Sequence, residues 1–203
     1  YYEFMARKTG SHSEITGPKI KQTALELFAR YGFAAVSMRK IASEVGVQAG
    51  AIYNYTPDKQ GLLFDLLYGH MEDLLTSWHL QNVSQDPISA LDHFVGFHLD
   101  FHICRPNLVF ISYMELRNLN PNNFMIIEDL RGNYENIIRE IITKGISDGI
   151  FKVKDPKITS FAIIAMLTGV VDWFRSDGVL TEYDLKQHYS ILTRQMLGVN
   201  GPA

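Results

Sequence analysis

The stretch from Val36 to Lys59, VSMRKIASEVGVQAGAIYNYTPDK, carries side chains suited to recognising a polyanion. Gln48, Ala49, Gly50, Ala51, Tyr53, Asn54 and Tyr55 are small, polar or aromatic, and no acid lies among them. Small residues let a backbone approach closely, and amide and hydroxyl tips can meet base edges in a DNA major groove. Arg39 and Lys40 add positive charge before them. Lys59 follows at a helix start, where unpaired backbone N–H groups also favour an anion.

Other groupings carry less. His98 and His102 stand four apart, a spacing that can put two metal ligands on one helix face. No carboxylate joins them in an HEXXH arrangement, so partly buried histidines bonded to neighbours are expected and no metal is assigned. Arg117, Arg131 and Arg175 could each serve an anionic ligand or equally pair with a nearby acid. No Ser/His/Asp grouping, Gly-rich phosphate loop or paired-acid arrangement stands out. No catalytic residue and no cofactor is therefore assigned, and the chain is not read as an enzyme.

The elements that position the polyanion-facing residues can be read from periodicity and caps. Ser37 can cap a helix in which Met38, Ile41, Ala42 and Val45 form one apolar face. Gly46 stops it in a left-handed backbone. A second helix of roughly two turns is expected to start near Gln48 to Gly50, with Ile52 inward. Pro18 suits the first residue of a preceding helix whose buried face is Ile20, Ala24, Leu27, Phe28 and Tyr31, ended by Gly32. Thr56 or Asp58 caps a long helix to about His79, roughly 30 Å at ~1.5 Å per residue.

Asp86-Pro87, Pro106, Asn120-Pro121 and Asp155-Pro156 then mark helix starts. The expected spans are to about Cys104, to about Leu119, 122–148 and 155–178. Thr181 with Asp184 approximates a capping box for the last helix, which ends by Gly198. No strand pattern of any length is visible. The fold class is all-α, near nine helices, without an internal repeat.

Composition sets bounds. The chain has 203 residues, 46% of them hydrophobic, and one cysteine, Cys104. A single cysteine rules out an intramolecular disulfide and suits a reducing cytoplasm; a buried inert thiol is the reading preferred over a redox sensor. No apolar run is long enough to span a bilayer and no signal peptide is visible, so no membrane is expected. Residues 1–60 hold eight basic and five acidic side chains, whereas residues 61–203 hold eleven and seventeen. A basic front on an acidic body fits contact with a polyanion through the front alone. Tyr1–Phe4 precede Met5, which reads as a natural start; they are taken as appended residues. Ala6–Thr16 read as an arm in which Arg7 and Lys8 could touch phosphate.

From about Pro18 to Leu63 the chain resembles the DNA-binding domain of the tetracycline-repressor (TetR) family. The matching residues are Ala24, Leu27 and Phe28, then Tyr31-Gly32-Phe33, Ser37-Met38-Arg39 and Ile41-Ala42, and finally Gly46-Val47, Ile52-Tyr53, Tyr55 and Lys59. Two positions depart. Gln48 stands where the family usually has Ser or Thr, which weakens the cap of the reading helix, and Thr56 stands where it usually has Phe. The resemblance implies a division into an arm at 1–16, a helix-turn-helix domain at 17–60 and a ligand-binding and dimerisation domain at 61–203. It implies that Lys59 and Tyr53 meet phosphates while Gln48, Gly50, Ala51 and Asn54 face base edges. Arg39, Ala49 and Tyr55 complete the DNA-binding set.

The middle of the chain is rich in aromatics and histidines on both faces of its helices, which a cavity with an apolar wall and a few polar points would explain. The candidate ligand-binding residues are Tyr68, Met71, Phe94, Phe97, His98, Phe101, Phe110, Tyr113, Met114, Arg117, Tyr134 and Trp173. An aromatic core without a cavity is the plainer alternative. The last two helices, 155–178 and 181–198, are apolar enough to self-associate, and the resemblance implies a four-helix homodimer interface there. Glu115–Leu119, the Gly145 to Phe151 segment and the Trp173 to Leu180 segment look like the acyl-coenzyme A-sensing branch of the family.

Taken together, the sequence is read as a homodimeric, ligand-responsive transcriptional regulator. It is most simply a repressor released from a palindromic double-stranded operator by a small hydrophobic or acyl-type effector. A helical small-molecule-binding protein or enzyme with a vestigial DNA-binding domain is the alternative, and an activator on the same fold is another.

Overall fold

The computed structural model describes residues 12–199, and among them it contains nine α-helices, two 3₁₀ turns and no strand. The readings made for Tyr1–Phe4 and for Arg7 and Lys8 fall outside the described residues. Helix α1 spans His12–Tyr31 and is longer than expected: Pro18 lies inside it, not at its start. A proline there removes one backbone N–H and its bond. Gly32, at φ +80°, ends the helix with its N–H on the Phe28 carbonyl at 2.9 Å. Ile20, Ala24, Leu27 and Phe28 are buried, but Tyr31 is 45% exposed. Its ring instead lies under the Lys40 ammonium at 3.6 Å.

Helix α2, Met38–Val45, has the caps its sequence announces. The Ser37 hydroxyl accepts from the Lys40 N–H at 3.2 Å, and Gly46 at φ +83° returns its N–H to the Ala42 carbonyl. The segment after Gly46 departs from expectation. In place of a two-turn helix there is one 3₁₀ turn, Ala51–Asn54, with no side-chain cap. The cap position falls on Gly50, which has no side-chain oxygen for the first N–H groups, and fully buried Ile52 holds the turn.

Helix α3 spans Lys59–His79. Asp58 is its cap, accepting from the Gly61 N–H at 2.7 Å, while the Thr56 hydroxyl donates to the Asp58 carbonyl. Helices α4 (Pro87–Ile103), α5 (Pro106–Met114), α6 (Pro121–Ser147) and α7 (Pro156–Thr168) come next, then α8 (Val170–Trp173) and α9 (Glu182–Met196). Asp86, Asn120, Asp155 and Thr181 cap α4, α6, α7 and α9.

Two expected helices are shorter than read. The one starting at Pro106 stops at Met114 and continues as a 3₁₀ turn, Leu116–Asn118. The one starting at Asp155 breaks at Gly169, where low helix propensity coincides with a Thr168 hydroxyl held inward by its neighbours.

Helix α4 lies at the centre of the C-terminal part, packed against α6, α7 and α9. Helix α6 in turn packs on α3 and α7. Helix α1 packs against α2, α3 and α5, so α5 packs directly on the N-terminal unit. Gly145 lets the Phe151 ring lie against α6; a Cβ there would fall 2.0 Å from it.

Candidate nucleic-acid interface and effector cavity

The 3₁₀ turn and its approach form an outward surface. Gln48, Ala49, Gly50, Tyr53 and Asn54 are exposed, Ala51 and Tyr55 half-buried, and Ile52 anchors the turn from behind. Among the described residues, Arg39, Gln48, Tyr53 and Asn54 make no side-chain hydrogen bond within the protein, so their polar tips remain available. Arg39 and Lys40 are exposed on the neighbouring α2.

Lys59 differs from the others. Its ammonium donates to the carbonyls of Phe33 and Val36, both at 2.7 Å, and lies 4.2 Å over the Phe33 ring. Burial lowers its pKa, and the nearby Glu115 carboxylate opposes that shift. Two of its three N–H donors are thus occupied in tying the start of α3 to the α1–α2 connection. Lys19 acts similarly at the end of α2, donating to the Val45 carbonyl at 2.9 Å. Sequence reading passed over Lys19, since a lysine's acceptor is set only by packing.

Within the C-terminal part, α3, α4, α5, α6 and α7 surround a small internal space of about 50 Å³. Helix α3 contributes His70, Met71 and Leu74, and α4 contributes His98 and His102. Helix α5 supplies Ser112 and Tyr113, α6 supplies Ile127, Arg131, Tyr134 and Glu135, and α7 supplies Ile164. A second cleft of about 280 Å³ opens between α5 and the α7–α8 segment, walled by Val109, Phe110, Met114, Ala165 and Val171 among others.

The candidate ligand residues divide accordingly. Met71, His98, Tyr113 and Tyr134 line the internal space, and Phe110, Tyr113 and Met114 line the cleft. Phe94, Phe97 and Phe101 belong to the aromatic packing around Trp78 and His70. Tyr68 donates to Glu72 at 2.9 Å, Arg117 is exposed on its 3₁₀ turn and Trp173 is 50% exposed, and none of the three lines either space.

In the sequence Arg131 stands only as one of three arginines open to an anionic ligand or an acid, and Glu135 is not singled out; their spacing is the signal that could have found them. They share with Ile127, Tyr134 and Ile138 the face that α6 turns inward, where charged side chains are rare.

A chain of polar contacts crosses the bundle beside the internal space. The Tyr134 hydroxyl lies 3.1 Å from His98 Nδ1, His98 Nε2 lies 3.1 Å from the Thr168 hydroxyl, and Thr168 lies 3.3 Å from the Tyr113 hydroxyl. His102 stacks on His98 with centroids 3.8 Å apart. Its Nδ1 lies 2.8 Å from the His98 carbonyl, so that nitrogen carries the proton.

Burial, with a smaller contribution from His102 and His70, drives the His98 pKa well below the usual imidazole range. Burial likewise takes His70 down to about 3, helped by the charges of His102 and Arg105. It takes His102 to about 4 against its favourable bond to the His98 carbonyl. All three are neutral at physiological pH and act as hydrogen-bonding groups. Among the described residues no set of three or more metal-ligating side chains is arranged to hold a metal.

The C-terminal helices also leave an apolar surface uncovered. Ile158 and Phe161 on α7 and Ile191, Leu192 and Met196 on α9 are exposed. No described helix is long and apolar enough to cross a membrane.

Comparison with known proteins gives matches over both parts. Residues 20–66 match the profile of bacterial regulatory proteins, tetR family, and residues 84–197 match that of the tetracyclin repressor-like C-terminal domain. The HTH-type transcriptional repressor KstR2 of Rhodococcus jostii is 24% identical over 189 residues, covering 91% of this chain and 90% of its own. The fatty acid metabolism regulator protein of Bacillus subtilis is 26% identical over 137 residues, 66% of this chain and 70% of its own.

Among solved structures, a tetR-family regulatory protein from Rhodococcus RHA1 superposes with a TM-score of 0.85 at 24% identity, covering 92% of this chain and 98% of its own. AibR, in complex with isovaleryl coenzyme A and operator DNA, superposes with a TM-score of 0.77 at 20% identity, over 90% and 97%.

Proposed function

This chain belongs to the tetracycline-repressor family of bacterial regulatory proteins, and from that premise we propose how its parts divide the work. The protein is a ligand-responsive, DNA-binding transcriptional repressor that acts as a dimer on operator DNA and responds to a small effector. Residues 17–60 form the DNA-reading unit, and residues 61–203 form the effector-binding and dimerisation unit.

Gln48, Gly50, Ala51 and Asn54 meet base edges. Arg39, Tyr53 and Tyr55 meet backbone phosphates, and Ala49 allows close approach. Lys59 supports this surface chiefly from behind through its two carbonyl partners, with its remaining N–H directed to phosphate. The single observation carrying the reading is an exposed, acid-free turn anchored by buried Ile52 and braced by Lys59. The exposed apolar faces of α7 and α9 pair with those of a second copy. The dimer brings two reading turns about one DNA turn apart, ~34–36 Å, so that they enter successive major grooves.

The effector is a hydrophobic or acyl-type molecule bound beside α5. AibR, of the same fold, is known with isovaleryl coenzyme A, which supports an acyl compound as the class. A ligand favouring one tilt of α3 changes the spacing of the turns, and the coupling is as large as its preference between the two states. The protein works in the cytoplasm, where the operator is, and no catalytic step is assigned to it.

Gel shifts with the DNA upstream of its own gene test the reading. Retention should fall steeply between about 50 and 200 mM salt, as phosphate contacts release counterions. Retention that is absent, or flat with salt, would refute it.

A further inference from the structure

The internal space and the outer cleft share one wall, the Tyr113 side chain. Its ring lies 4.7 Å from the Arg131 guanidinium carbon, and its hydroxyl contacts Thr168, which also lines the cleft. On the inner side Arg131, Glu135 and the three histidines stand among the apolar Met71, Leu74, Ile127 and Ile164. On the outer side the wall is more apolar, with Thr168 and Asp172 as its polar members besides Tyr113.

Two inner groups lack partners among the described residues. The half-buried Arg131 guanidinium makes neither an ion pair nor a hydrogen bond. His70 is 4% exposed, and its Nδ1 has no hydrogen-bond partner. A buried polar atom without a partner is costly, and a guanidinium whose N–H groups face only a ring has donors to spare, so a bound anion would serve both.

Resting on the regulator reading, we propose that the two spaces are halves of one site for an anionic amphiphile bound head-inward. Its carboxylate lies at Arg131 and the Tyr113 hydroxyl, and its alkyl chain runs out along the α5–α7 cleft. The inner volume, about 50 Å³, holds a head group of a few heavy atoms, and the cleft, about 280 Å³, holds a chain. This polar-inside order is the reverse of what a coenzyme A thioester needs, because there the acyl end enters first and the bulky charged end stays outside. The free acid is therefore the occupant.

Glu135 faces the same space. Burial raises its carboxyl pKa against the charges of Arg131 and Arg139. Entry shifts the Tyr113 side chain, which gives the bound acid a route to α5, a helix packed on α1.

Calorimetry and operator release on the full-length dimer test this with octanoate, 1-octanol, octylamine and octanoyl-coenzyme A. Octanoate should bind at least tenfold more tightly than the others and release operator DNA. Affinity should rise roughly fourfold per methylene from butyrate to octanoate. Arg131→Gln should weaken octanoate binding at least tenfold, and Arg131→Lys, which keeps the charge, should recover most of it. A melting transition separates loss of fold from loss of the anion contact.

Equal or tighter binding of octanol, octylamine or the thioester overturns the proposal, as does an Arg131→Gln protein with unchanged octanoate affinity. A protein that retains operator DNA yet ignores octanoate sinks this inference alone. One that retains no DNA sinks the regulator reading beneath it.

Discussion

Gln60, on the first turn of α3, is clasped to Asn118 in the turn after α5: its amide N–H donates to the Asn118 carbonyl. The same side chain accepts from the Asn120 N–H at 3.1 Å. Beside it, the Asn118 amide donates to buried Glu115, whose charge also reaches Lys59. The turn that follows α5 is thus hydrogen-bonded to the start of the helix that carries the reading unit.

Gln60→Ala should therefore uncouple the two ends. Operator affinity without effector should change little, whereas the effector concentration for half-release should rise severalfold. Fluorescence anisotropy on labelled operator measures both. Unchanged release in the variant would remove Gln60 from the coupling.

Lys59 and Asn54 should separate when each is truncated. Lys59→Met leaves two carbonyls without their ammonium and should cost about 1–3 kcal/mol. That corresponds to several degrees in Tm for a chain of this size, and the variant should bind all DNA sequences more weakly to a similar degree. Asn54→Ala, at an exposed site, should leave Tm within about a degree and alter which bases are preferred. Calorimetry with a binding-site selection distinguishes them.

The histidine cluster should make the fold acid-sensitive. His70 and His102 titrate near 3 and 4 in the folded protein, against about 6.5 when unfolded. Between those values the unfolded chain binds more protons than the folded one, so stability rises with pH and is lost as pH falls from about 6.5 towards 4. Each histidine contributes a slope of up to about 1.4 kcal/mol per pH unit. The urea midpoint should drop across that range, and less steeply in His102→Phe.

A charge on the exposed α7–α9 face should break self-association. Phe161→Glu or Ile191→Glu should shift the sedimenting species from dimer to monomer and reduce operator affinity by at least tenfold, since a single reading turn forfeits the second half-site. The far-UV spectrum should stay helical, because both side chains already face solvent in the single chain.

The chain's local chemistry was enough to determine where most helices begin and what the front of the molecule meets. Ser37, Asp86, Asp155 and Thr181 cap their helices because a short side-chain oxygen reaches N–H groups two or three residues on, an interaction contained within one turn. The apolar stripe of α2 and the acid-free run after Gly46 are local in the same sense.

Only the tertiary structure decided where helices run on or break. Helix α1 continues through Pro18, α5 stops at Met114, and α7 gives way to α8 at Gly169, beside a Thr168 hydroxyl that meets His98 and Tyr113 from other helices. It also turned Lys59 inward to two carbonyls, placed Arg131 beside Tyr113, and sent Phe94, Phe97 and Phe101 into packing and not into a cavity wall. These outcomes depend on groups distant in sequence or on another helix. Such partners are fixed by close packing of the whole bundle, which no spacing along the chain encodes.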